Sequence, residues 1–154
     1  MPTPERHETP AQRSDRNWNE LLQELRVTQT GIQVMSGFLL TVPFSGRFDR
    51  LSDNQRVLYL VSLCLSLLAT VLLVAPVSSH RILFRKHEKA ALVEHAHMMA
   101  RAGLVVFGAA MLAVAALVFS VVVSTTAAIV VAAVGLVAAV LVWVVLPLVS
   151  ARRY

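Results

Sequence analysis

Four of the five histidines in this 154-residue chain, His80, His87, His95 and His97, fall within one polar segment, 80–101. Histidine beside carboxylate is the raw material of a metal site or a proton shuttle. The tightest group is Glu94-His95-Ala96-His97. On a helix His95 and His97 point about 200° apart and cannot share an ion. Glu94 and His97, three residues apart, share a face. Two ligands still fall short of the four of structural zinc or the three of catalytic zinc, so no metal is expected. Haem would want axial histidines facing one another inside apolar spans, and the apolar runs hold none. Cys64 sits within an apolar run, as a small core or lipid-facing residue, and no Ser/His/Asp or Cys/His set stands out around a nucleophile. These residues point away from catalysis, and neither an enzyme nor a cofactor is expected.

A charged collar is the more informative reading of the same segment. If 80–101 is one helix running into the next apolar stretch, His80, His87, Glu94 and Arg101 recur every seven residues and stay on one face. That face is expected to meet Glu20, Glu24 and Arg26 on the first helix, with Glu24 neutralising Arg101 or Arg81. The plainer reading gives Arg81, Arg85, Lys86 and Lys89 to anionic lipid headgroups, worth about 1 kcal/mol each near a surface. Histidines also suit a pH sensor, but the sequence names no two-state element for them to bias.

The second chemical feature is a polar stripe. From Trp18 to Pro43 the chain reads as one helix, with Asn17 or Asn19 as its cap and Glu20 suited to the positive end of its dipole. At 100° per residue Gln23, Arg26, Thr30, Gln33, Gly37 and Thr41 fall within an arc of about 80°. Leu21, Leu25, Ile32, Met35 and Leu39 take the opposite side. Gln33 lies about two turns inside an apolar stretch, where an amide needs partners. The stripe must face other helices, a second subunit or water. Its plain reading is polar glue in a bundle, with Gly37 allowing close approach; a solute path and an oligomer contact are the alternatives.

Composition says what must hold these residues in place. Hydrophobic residues make up 56% and charged residues 15% of the chain, and the mean hydropathy is +0.67. A soluble domain carries about 25% charge to cover its surface, so this chain reads as a small membrane protein of one domain. The pI of about 10.4 does not point to nucleic acid, because the arginines flank apolar runs and there anchor and orient helices. Residues 1–17, with Pro2, Pro4 and Pro10, read as a disordered cytoplasmic tail and not as a signal peptide. The membrane domain, 18–154, holds four expected spans, about 27–44, 57–75, 102–123 and 126–149, each near the roughly 20 residues a bilayer requires. Pro76 is expected to stop the second. Ser124, Thr125 and Thr126 make the last two a tight antiparallel hairpin, since a single helix through both would overrun any bilayer.

Four spans put eleven Lys and Arg on the side of both termini and three, Arg47, Arg50 and Arg56, on the other. The positive-inside rule therefore makes both termini cytoplasmic. Trp18, Tyr59, Trp143 and Tyr154 fall near span ends, where amphipathic rings favour the interface. Ser62, Ser66 and Thr70, Ala116, Ser120 and Ser124, and Gly135 and Ala139 recur at four-residue intervals that let helices pack closely. No internal repeat is evident.

The run from Trp18 to Val34, the segment Phe38-Leu-Leu-Thr-Val-Pro-Phe44, Ala75-Pro76 and His80-Arg81 resemble an uncharacterised family of small actinobacterial membrane proteins. The likeness covers the chain from Trp18 to about Arg101, and the first helix is its most specific part. It implies four membrane helices. Some members carry the label sodium:proton antiporter, but no Asp, Glu, Lys, Arg or His occupies the centre of any span here, and coupled ion transport uses such a group. The resemblance supplies no catalytic residue. The expectation is thus an all-α integral membrane four-helix bundle with cytoplasmic helical extensions, in a bacterial inner membrane. It is read as a non-enzymatic accessory or scaffold subunit with a protein partner or homo-oligomer, or else as an oligomeric transporter of a small solute or ion with a path along the first helix.

Overall fold

The computed structural model describes residues 10–83 and 89–151, with side chains at 16, 23, 25–76 and 98–151. Every regular element among the described residues is helical: α1 (Pro10–Thr41), α2 (Asp53–Leu83), α3 (Lys89–Val122), α4 (Thr125–Val140) and α5 (Leu146–Ala151). Two short 3-10 turns, Val42–Phe44 and Phe48–Arg50, join α1 to α2, and a π-helical turn, Leu141–Val145, joins α4 to α5.

Successive long helices run antiparallel. Leu39 meets Tyr59, Ser36 meets Ser66 and Gln29 meets Leu73 between α1 and α2. Gln55 meets Ser120, and Gly103 lies against Leu73, between α2 and α3. Gly108 lies under Trp143 and Gly135 under Leu112, which sets the α3–α4 hairpin. The start of α1, the end of α2, the start of α3 and the end of α5 therefore share one end of the molecule.

Sequence explains the sharp hairpin. Ser124 is extended (φ −170°, ψ 164°) and its hydroxyl accepts from Ala127 N–H at 3.2 Å, capping α4. The N–H groups of Val123 and Ser124 both return to Phe119 O at 3.0 Å, closing α3. At the start of α2, Ser52 and Gln55 form a reciprocal capping box: Ser52 N–H donates to Gln55 Oε1 at 3.0 Å and Gln55 N–H to Ser52 Oγ at 3.4 Å. Gln55 Nε2 then reaches Ser120 O on α3 at 3.0 Å. Gln55→Ala should cost about 1–2 kcal/mol through loss of the cap and the cross-helix bond. Gln55→Glu, which keeps the cap acceptor and lacks the amide donor, should fall between the two in detergent melting curves.

Several expectations need correcting. Helix α1 begins at Pro10, so 10–17 are helical, and neither Asn17 nor Asn19 is a cap; 1–9 lie outside the described residues. The α1 helix ends at Thr41, not Pro43. Pro76 does not stop α2, which continues to Leu83; it is buried in the packed face, where neighbouring helices can serve the carbonyls it frees. The segment 80–101 is not one helix. His80 belongs to α2, while Glu94 and Arg101 belong to α3. Because α2 and α3 are antiparallel, the chain must reverse between them, and the seven-residue recurrence is not a single face.

The four helices also differ in how they pack. The α1, α2 and α3 helices share a core in which Leu25, Ile32, Ala69, Leu73 and Ala100 pack together, with a second cluster of Leu39, Tyr59 and Leu117 toward the other end. Among the described residues the α4 helix packs on α3 and not on α1 or α2, so the arrangement is a three-helix core with a fourth helix laid against it. Among the described residues three segments are long and apolar enough to cross a membrane, Asp53–Pro76, Met98–Val122 and Thr125–Ala151, of 24, 25 and 27 residues, and the expected first span, 27–44 on α1, is not one of them. At 1.5 Å per residue each exceeds the roughly 30 Å of a hydrocarbon core. Their outer faces expose apolar side chains, among them Leu67, Val71, Val105, Met111, Val130 and Val137. Water-soluble monomers rarely expose contiguous apolar patches above a few hundred Å².

Candidate functional site

The inner face of α1 is the one the sequence marks as apolar. Leu25, Ile32 and Leu39 are buried and Met35 is half-buried. Flanking them, Gln29 and Ser36 point into the α1–α2 seam. Gln29 Nε2 donates to Leu73 O at 2.9 Å, Ser36 and Ser66 join their hydroxyls, and Tyr59 O–H donates to Leu39 O at 2.9 Å. These three links are the polar glue between α1 and α2 among the described residues. The expected glue residues, Thr30 and Gln33, are not part of it.

The Leu73 link falls one residue from the carbonyl that Pro76 leaves without its helical donor. Proline has no N–H to give Leu72 O, and its ring crowds that carbonyl and opens the turn. In an apolar setting the carbonyls of such a turn are served by neighbouring helices, and Gln29 serves Leu73. A heptad signal was available for this seam: Leu25, Ile32 and Leu39 recur every seven residues, as do Gln29 and Ser36. Ser62 and Ser66 are fully buried on the facing surface of α2, as their four-residue spacing implied. Tyr59 is buried too, edge-on to Phe48 at 5.3 Å and 79°. It is a core residue here, not an exposed interfacial ring.

The outer face of α1 carries the whole expected stripe. Gln23, Arg26, Thr30, Gln33, Gly37 and Thr41 are all exposed. Taking Ile32 as the inward direction, Gln33 is turned by 100° and the rest by more. Among the described residues the stripe packs against no helix, and neither Thr30 nor Gln33 makes a bond across helices there. Thr30 Oγ1 donates back to Arg26 O at 3.0 Å and Thr41 Oγ1 to Phe38 O at 2.7 Å, so both hydroxyls are satisfied within α1. The Gln33 amide has no partner among the described residues, and nothing lies within 4 Å of a Cβ built on Gly37.

The collar falls largely outside the described residues: His87, Arg85 and Lys86 entirely, and the side chains of Glu20, Glu24, His80, Arg81, Lys89, Glu94, His95 and His97. Arg101 is described and lines a cleft between α3 and the α4–α5 segment. One residue back, Ala100 belongs to the core cluster that α1 enters with Leu25 and Ile32. That places Arg101 about 100° round α3 from the α1 contact.

A family model described as a family of unknown function, DUF6328, matches residues 7–147. The chain belongs to this family. The DUF6328 match takes in α4 and the cleft beside it, beyond the Trp18–Arg101 stretch that carries the resemblance in the sequence. No curated protein and no solved structure matches the chain significantly.

Proposed function

We propose that this DUF6328 chain is an integral subunit of a bacterial cytoplasmic membrane, crossing it four times and assembling laterally through the outer face of α1. Its role is accessory or scaffolding and not enzymatic. One observation carries the reading: the polar stripe, with Gln33 at its centre, turns away from the other described helices. An unpaired amide facing lipid costs free energy, and a bond across helices in a membrane recovers about 0.6–2 kcal/mol. A neighbouring subunit supplies that partner, and Gly37 lets its backbone come close. The orientation, with both termini cytoplasmic, rests on the eleven-to-three division of Lys and Arg, and the antiparallel order of the helices is compatible with it.

A second reading shares this geometry. Copies arranged with the stripe inward surround a common axis lined by Gln33 and Thr30, a path for a small polar solute. In that case Gln33→Leu removes flux from proteoliposomes while the oligomer persists.

Cysteine cross-linking in native membranes tests the assembly. With Cys64 replaced by alanine, Gly37→Cys should give an oxidant-dependent dimer, and Val134→Cys on the outer face of α4 should not. Cross-linking at Val134 alone would move the interface to α4 and end the α1 reading.

A further inference from the structure

The cleft that holds Arg101 is the largest of three described for the chain, with a volume of about 610 Å³ against about 220 and 300 Å³ for the others. That is within the range of roughly 300–1,000 Å³ typical of small-molecule sites. Its walls are apolar: Leu112 and Gly108 on α3, Trp143 and Pro147 on the facing segment. Arg101 is the single charged residue lining it, and no carboxylate pairs with Arg101 among the described residues.

Local sequence builds this shape. Pro147 lacks the N–H that would close an ordinary turn onto Trp143 O, and the chain responds with a π-helical turn in which Leu146 N–H returns to Leu141 O. Such wide turns redirect a side chain and often mark functional positions. Trp143 is thereby laid over Gly108, where a Cβ would meet its Cη2 at 2.7 Å and its Cζ3 at 2.8 Å. Only glycine admits the indole there. The ring closes the cleft on one side and leaves it open along its length, beside the exposed Leu104, Val105 and Val144.

We infer that this cleft binds an anionic phospholipid, with one acyl chain along Leu112, Gly108 and Trp143 and the phosphate at Arg101. The site presupposes the membrane embedding proposed above. Charge complementarity selects the occupant. An exposed guanidinium at the end of an apolar channel matches a negative headgroup on a hydrocarbon tail, and arginine grips phosphate bidentately. A second copy docking by its α1 stripe is a poor match, because the Gln33 amide would meet apolar walls and stay unpaired. Arg101 lies on the first turns of the membrane-crossing part of α3, at the end of the molecule where most of the cations fall. The depth therefore suits a headgroup of the cytoplasmic leaflet.

Fluorescence quenching by brominated lipids reads this site directly. Trp18→Phe leaves Trp143 as the sole tryptophan. This variant is reconstituted into vesicles carrying equal fractions of brominated phosphatidylglycerol or brominated phosphatidylcholine in an unlabelled background. The anionic lipid should quench Trp143 with about five-fold higher apparent affinity, the effect of one interfacial cation. Arg101→Gln should abolish the preference and Arg101→Lys should keep most of it, while Arg85→Gln with Lys86→Gln should leave it in place. Equal quenching by the two lipids, or a preference lost with Arg85 and Lys86 but not with Arg101, overturns the site while leaving the membrane reading intact. Absence of quenching by either lipid would instead overturn the embedding itself.

Discussion

Gly103→Val should lower the unfolding free energy by about 1–3 kcal/mol, the usual cost of forcing extra carbon into a packed interior. Gly103 is buried on α3 against Leu72 and Leu73 of α2. A Cβ there would lie 2.9 Å from both Cγ and Cδ2 of Leu73 and 3.2 Å from Leu72 Cβ. Leu73 is 1% exposed and packs with Ile32, Ala69 and Ala100, so it has nowhere to retreat. Leu72 Cβ is tied to the backbone. The helices must separate, and the separation also strains the Gln29 link to Leu73 O. Gly135→Ala is the matched control. Its added carbon would meet chiefly the far end of the half-buried Leu112 side chain, which can turn aside, so its change should stay below about 1 kcal/mol. Melting curves of the two variants in one detergent compare them, and equal losses would remove the special status of the α2–α3 contact.

Gln29→Leu is expected to cost about 1–2 kcal/mol, at the upper end for interhelical hydrogen bonds in membranes, because it removes a cross-helix bond in the turn that Pro76 loosens. The informative version is a double-mutant cycle with Pro76→Ala. Alanine restores an N–H for Leu72 O and lets the turn close, so Leu73 O depends less on a donor from α1. In that background Gln29→Leu should lose less than half as much, giving a coupling of at least about 0.5 kcal/mol. Strict additivity would mean that Gln29 and Pro76 act independently and that the seam is held by side-chain packing alone. Both variants leave the outer face of α1 untouched, so cross-linking through Gly37→Cys should persist in whatever fraction remains folded. A loss of both together would tie assembly to the inner seam.

The two faces of α1 differ in how much of their role the sequence discloses. Leu25, Ile32 and Leu39 mark the packed side by apolarity alone, and they are buried. The stripe opposite is equally plain as a pattern, yet its amides and hydroxyls satisfy the requirements of glue, pore and interface alike. Deciding among these needs the position of α2 and α3, which sit on the apolar side. Gln29 and Ser36 were overlooked because they flank the apolar arc and lie outside the tightest polar one. A polar residue beside a packed seam becomes a cross-helix bond only when a donor or acceptor faces it, as Leu73 O and Ser66 do.

The single seven-residue face over 80–101 is absent for a related reason. A seven-residue recurrence has meaning only within one helix, and the reversal between α2 and α3 divides His80 from Glu94 and Arg101. Local chemistry determined the hairpin at Ser124, which caps a helix by its own hydroxyl, the capping box at Ser52 and Gln55, and the apolar length of α2, α3 and the α4–α5 segment. These depend on residues within a few positions of one another, or on summed hydropathy, and so are written in the sequence itself. The outward turn of Gln33, the service of Leu73 O by Gln29, and the cleft between Arg101 and Trp143 depend on groups up to 44 positions apart whose meeting is set by how whole helices pack. Side-chain volumes at Gly103 and Gly108 decide that packing, and only the assembled helices reveal what those glycines make room for.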